Sequence, residues 1–191
     1  MDNDNTGPLA ADRQWRDWVR DHPIAAATIA GAIATQMATI IGYYLIGIGL
    51  PAVPWPLFNG ILVAPAGEFG GVGSFFAGQS IHMVDGVVFA ILFAVLVFGK
   101  LPFATTTNGN VQRGLVYGAI LAIISAGFLV PYVYVPKQGF GLFSFDGADG
   151  WKLPASILVF HLVWGGFLGM LYNPSRRASD SYNPSVRASE S

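Results

Sequence analysis

Residues 75–99 read FFAGQSIHMVDGVVFAILFAVLVFG, a run in which Asp85 is the only formal charge. About 20 apolar residues suffice to cross a bilayer core as a helix, and a soluble core helix of this length would carry a charged face. The stretch therefore predicts a transmembrane span. Working outward from it, similar blocks fall at Ile24 to Gly47, Gly114 to Val135 and Pro154 to Tyr172. Proline punctuates their ends: Pro23 before the first block, Pro51, Pro102 and Pro136 after the first, second and third, and Asn173-Pro174 after the fourth. The expected architecture is all-α, a polytopic membrane protein with a four-helix transmembrane bundle.

The composition agrees. Of 191 residues, 53% are hydrophobic and 11% charged, against about 25% charged in ordinary soluble domains. A net charge of −1 offers no basic face for phosphates, so nucleic acid is excluded as a partner. With no cysteine there is no disulfide framework, thiolate metal site or thiol nucleophile. Phosphate loops, dinucleotide turns, nucleophile elbows and His-Glu-x-x-His zinc pairs are absent from the sequence, which argues against an enzyme.

Three regions follow: a polar arm over residues 1–22, the four-span domain over 23–172, and a tail over 173–191 carrying a tandem decapeptide that starts at Tyr172 and Tyr182. The tail's composition predicts disorder. Within the arm, Leu9 to His22 places Trp15, Trp18 and Val19 on one helical side, as an interfacial helix would. The arm lacks a signal peptide's basic opening, so the first block is expected to be a retained span. Arg13, Arg16, Arg20, Lys100, Arg113, Arg176, Arg177 and Arg187 flank one side of the spans, and only Lys137 and Lys152 the other. That distribution places both termini in the cytoplasm of a cell (inner or plasma) membrane. The apolar, Gly- and Pro-rich segment from Ile48 to Ser74 is expected to rest on the membrane surface or over the bundle, as packing or as a lid.

Each span repeats small residues every fourth position: Ala26, Ala30, Ala34, Ala38, Gly42; Gly78, Gly86, Ala90, Ala94; Gly114, Gly118, Ala122, Ala126; Gly165, Gly169. Such faces let helices approach closely in lipid, where little hydrophobic force draws them together. His82 and His161 sit on these faces in related contexts, His-Met-Val-Asp-Gly and His-Leu-Val-Trp-Gly. Their equal placement points to two parallel two-helix repeats with both imidazoles at one depth.

Asp85, Gln36 and Ser125 fall near the same level, giving a polar cluster with three readings. It is interhelical hydrogen-bonding glue in a non-enzymatic accessory or assembly protein. It is a cofactor or metal site, with His82 and His161 ligating haem iron, or His82, Asp85 and His161 ligating a metal, in a redox subunit. Or it marks proton or small-solute passage through Asp85 and the histidines. The expected partners are membrane lipids and further copies of the chain or other membrane subunits.

Gly31-Ala-Ile-Ala-Thr35, His82 with Gly86, Arg113-Gly114 with Gly118, and the closing run from His161 to Tyr172 resemble a family of small four-span prokaryotic membrane proteins of unknown function. The resemblance covers about residues 23–172 and implies the fold, without implying an activity.

Overall fold

The computed structural model describes residues 8–64, 71–134, 136 and 150–174. The decapeptide tail beyond Pro174 lies outside these residues, as do the first residues of the arm. The chain is all helical among the described residues, and four helical stretches are long and apolar enough to cross a membrane: Pro23–Ile48, Val72–Lys100, Thr107–Tyr134 and Lys152–Leu171. It is a multi-pass membrane protein built as a four-helix bundle.

The elements in chain order are α1 (Pro8–Asp21), α2 (Pro23–Tyr44), a short α3 (Trp55–Gly60), α4 (Val72–Leu92), α5 (Thr107–Ile124) and α6 (Lys152–Leu171). Pro23 opens α2, where its missing N–H costs nothing. Beyond Ile124 the third span continues to Tyr134 in the wider π-helical winding, with Pro131 inside it. Proline has no N–H to give and interrupts the regular ladder there.

The small-residue faces meet as expected. Ala26, Ala30, Ala34 and Ala38 are fully buried, so α2 sits between α4 and α6, while α5 packs on α6. At α2 and α4, Gly31 faces Ala90, and Gly86 faces the Thr35 hydroxyl so closely that a Cβ would not fit. At α5 and α6 the contact is backbone on backbone: Gly114 against Gly165 and Gly169, and Gly118 against the His161 carbonyl. Ile24, Ile33, Ile40, Val84, Val88 and Ile123 point outward, the sides offered to lipid.

Two ends differ in chemistry. At the end holding α1 and the close of α6, the Trp15 indole donates to the Leu171 carbonyl at 3.1 Å and Val19 is fully buried. The arm is thus docked through its apolar side, with Arg20 paired to Asp17 and Asp21 on the other. Here α5 begins earlier than hydropathy indicates, at Thr107, because its polar first turns are satisfied internally. Thr106 caps it, accepting from the Gly109 N–H. Buried Arg113 donates to the Leu101, Phe103 and Ala104 carbonyls and to Asn110, and lies over the Phe98 ring at 4.6 Å. Asn110 donates to Asn173, which donates to Thr107, tying α5 to the end of α6.

At the opposite end α3 is no surface cover. The Val53 N–H bonds the Gly42 carbonyl well inside the span, and Trp55, Phe58 and Asn59 are buried. Gly60 lies against Ser74, and Gly78 against the Pro56 backbone, with no room for a side chain. Irregular backbone at membrane depth is tolerated because protein surrounds it.

Candidate functional site

Because α2 and α6 occupy the middle of the bundle, α4 and α5 meet only lightly. The Tyr117 hydroxyl donates to the Phe89 carbonyl at 3.1 Å, and the Phe93 and Tyr117 rings lie 5.3 Å apart. Beyond that contact the seam opens into a cavity of about 80 Å³, lined by Thr35, Trp55, Asn59, His82, Asp85, Gly86, Phe89, Leu121, Ile124, Ser125, Leu129, Tyr134, Phe160, His161 and Trp164. Asp85 stands near the middle of the Val72–Lys100 span.

The hydrogen bonds limit the proton positions. The Thr39 hydroxyl lies 2.7 Å from the Thr35 carbonyl and 2.9 Å from His82 Nε2, and shares one proton between these two partners. With that hydroxyl proton directed to the Thr35 carbonyl, His82 carries its proton on Nε2; with it directed to His82 Nε2, Nδ1 carries the proton. His161 Nδ1 faces the Ile157 carbonyl at 2.8 Å and must be the protonated nitrogen there; in the neutral ring, Nε2 accepts from Ser125 at 3.2 Å. Thr35 donates to the Gly31 carbonyl at 2.7 Å and accepts from the Trp164 indole at 3.0 Å. Tyr134 donates to Asn59 Oδ1 at 2.5 Å.

Of the residues singled out in the sequence, His82, Asp85, His161 and Ser125 line one cavity. Each histidine bonds a hydroxyl on a neighbouring helix, Thr39 of α2 or Ser125 at the end of α5. Gln36 does not line the cavity; its amide donates to Met83 Sδ at 2.9 Å, a hydrogen bond across the α2–α4 contact. Asp85 and His82 share the cavity, but among the described residues Asp85 makes no hydrogen bond or ion pair. The sequence reading missed Thr35, Thr39, Trp55, Asn59, Tyr134 and Trp164. The signal for Thr35 and Thr39 was their spacing beside the Ala34 and Ala38 face; α3 supplies Trp55 and Asn59 from a segment without helical periodicity.

The donor set does not fit the metal and haem readings. Among the described residues no three His, Asp or Glu side chains gather to hold one metal ion. The 80 Å³ cavity is far below the about 300 to 1,000 Å³ of pockets that take drug-sized ligands. Both nitrogens of His161 are engaged within the protein. A structural share for the histidines remains. Replacing His161 with Leu is expected to lower stability in detergent by about 0.6–2 kcal/mol, the range of interhelical hydrogen bonds in membranes. Reversible unfolding in dodecyl sulfate, followed by circular dichroism, checks this.

Comparison with known proteins finds no matching family model, no matching curated protein and no matching solved structure.

Proposed function

We propose that this chain is a non-enzymatic accessory protein of a cell membrane, and that its working part is the chamber around Asp85, reached sideways from the bilayer. The observation that carries this is an intramembrane carboxyl without a hydrogen-bonding or ionic partner among the described residues, placed beside an open helix seam. Such a carboxylate costs about 2.5–3.5 kcal/mol at a span centre on insertion scales. Pure interhelical glue would have spent it on a partner, as Thr39 and Ser125 are spent on the histidines. Passage straight through the bundle is disfavoured. Phe89, Phe93, Tyr117 and Trp164 fill the side toward the termini, and Trp55 and Phe58 of α3 fill the other. The seam remains: Ile124 lines the chamber and is 46% exposed.

The excess of Lys and Arg on the side of the termini supports a cytoplasmic location for both ends.

A photoreactive benzoylphenylalanine at Leu129, a half-buried lining residue, tests the lateral chamber in native membranes. Ultraviolet capture of lipid-sized molecules is the expected result. Adducts only to another polypeptide would favour the second reading, an assembly subunit whose seam receives a partner's span. Crosslinks only within the chain would show a closed seam and overturn the proposal.

A further inference from the structure

Deepening that reading, on which it rests, we infer that the chamber binds the ammonium head of a lipid-soluble amine, protonated or quaternary, with its apolar tail lying between α4 and α5. Accounting for the lining protons leads there. The hydroxyl protons of Thr35, Ser125 and Tyr134 are spent on Gly31, His161 and Asn59. The lining keeps unspent acceptors: the Asp85 carboxylate and the remaining lone pairs of Tyr134. The donors left over, the buried Trp55 Nε1–H without a partner and the Asn59 amide, are neutral. Among the described residues no Lys or Arg lines the chamber, so an anion would meet the Asp85 carboxylate with no described cation to offset it.

The lining favours an organic cation over a hard divalent ion. An inorganic ion needs six or more oxygens for calcium, or a tight octahedron for magnesium, and this lining supplies few. Rings are plentiful instead. Trp55 has its centroid 5.8 Å from Tyr134 and 5.9 Å from Phe160, and Trp164 closes the same wall. Aromatic faces around a desolvated ammonium attract it through the ring quadrupole, and one carboxylate completes the charge match. The lip of the seam, Phe89, Ile124 and Leu129, is apolar, which suits a tail and not a hydrated ion.

The test uses the full chain in dodecyl maltoside micelles, with dodecyltrimethylammonium as probe and isothermal calorimetry as readout. Saturable binding is expected for the native chain and for Asp85→Glu, and weaker binding by about thirtyfold or more for Asp85→Asn, because removing one member of a desolvated charge pair typically costs that much or more. Trp55→Leu is expected to weaken binding by about three- to tenfold. Ile124→Trp, which narrows the lip without touching the carboxylate, should weaken it too, so the result does not hang on one variant's folding. Lysophosphatidylethanolamine and dodecylamine as competitors separate the two sources of the head group. Displacement by the first assigns a lipid head group, and displacement by the second alone assigns a free amine. Equal binding by Asp85→Asn, equal binding of dodecanoate, or no saturable binding overturns the inference. If Leu129 still captures lipid in that event, the lateral chamber stands and only its ligand class falls; if Leu129 captures nothing, both fall.

Discussion

Substituting Leu for Gly165 is expected to abolish the close approach of α5 and α6 and to lower unfolding stability in detergent by about 3 kcal/mol or more, at or beyond the upper end of overpacking costs. The reason is the neighbour. A side chain at Gly165 would enter the Gly114 carbonyl, a backbone atom that cannot rotate away, with Gly118 Cα only 3.3 Å off. The adjacent Gly166 supplies the control. A Cβ there meets only Leu115 Cδ2 at 3.6 Å, ordinary van der Waals contact, so Gly166→Leu should cost far less than Gly165→Leu. Dodecyl sulfate titration of both variants decides the matter. Similar losses at the two positions would mean that the α5–α6 contact is not made through glycine backbone.

The second large effect is expected at Arg113. Replacing it with Leu removes the donor for three carbonyl oxygens and the Asn110 side chain together. Each buried acceptor left unmade costs about 1–3 kcal/mol, so a loss of about 3 kcal/mol or more is expected, with the 101–106 turn becoming susceptible to protease. Arg113→Lys should recover little, because a single ammonium cannot fork across acceptors that a guanidinium spans, nor lie flat on Phe98. Full recovery by Lys would show that charge alone holds the turn.

Arg113 also illustrates what the sequence displayed and what it concealed. The four spans, the faces of Ala and Gly and the inward placement of both histidines were legible because a 3.6-residue period of small side chains has one physical use in lipid. Hydropathy dates the start of the third span too late, since Thr107, Asn110 and Arg113 look aqueous until their hydrogen bonds are known. Gln36 was placed by depth alone, but depth does not give azimuth, and its side chain turns to Met83. The chamber was half visible. Asp85, His82, His161 and Ser125 announce themselves as rare polar groups in apolar runs, whereas Trp55 and Asn59 come from a segment brought in by tertiary contact. No local pattern shows that α4 and α5 would be the pair left apart; that follows from which two helices hold the centre.

The insertion of α3 carries a consequence for what shelters it. Its six residues begin after Pro51 and Pro54 and contain Pro56, and they would expose unpaired backbone groups to lipid if they entered the bilayer alone. The walls that shelter them include Gly78 of the following helix and Phe160 of the last. The shelter of this segment therefore comes from helices that follow it in the chain, α4 and α6. Trp55 and Asn59 close the cavity only where α6 stands beside them, so this wall depends on contacts distant in sequence.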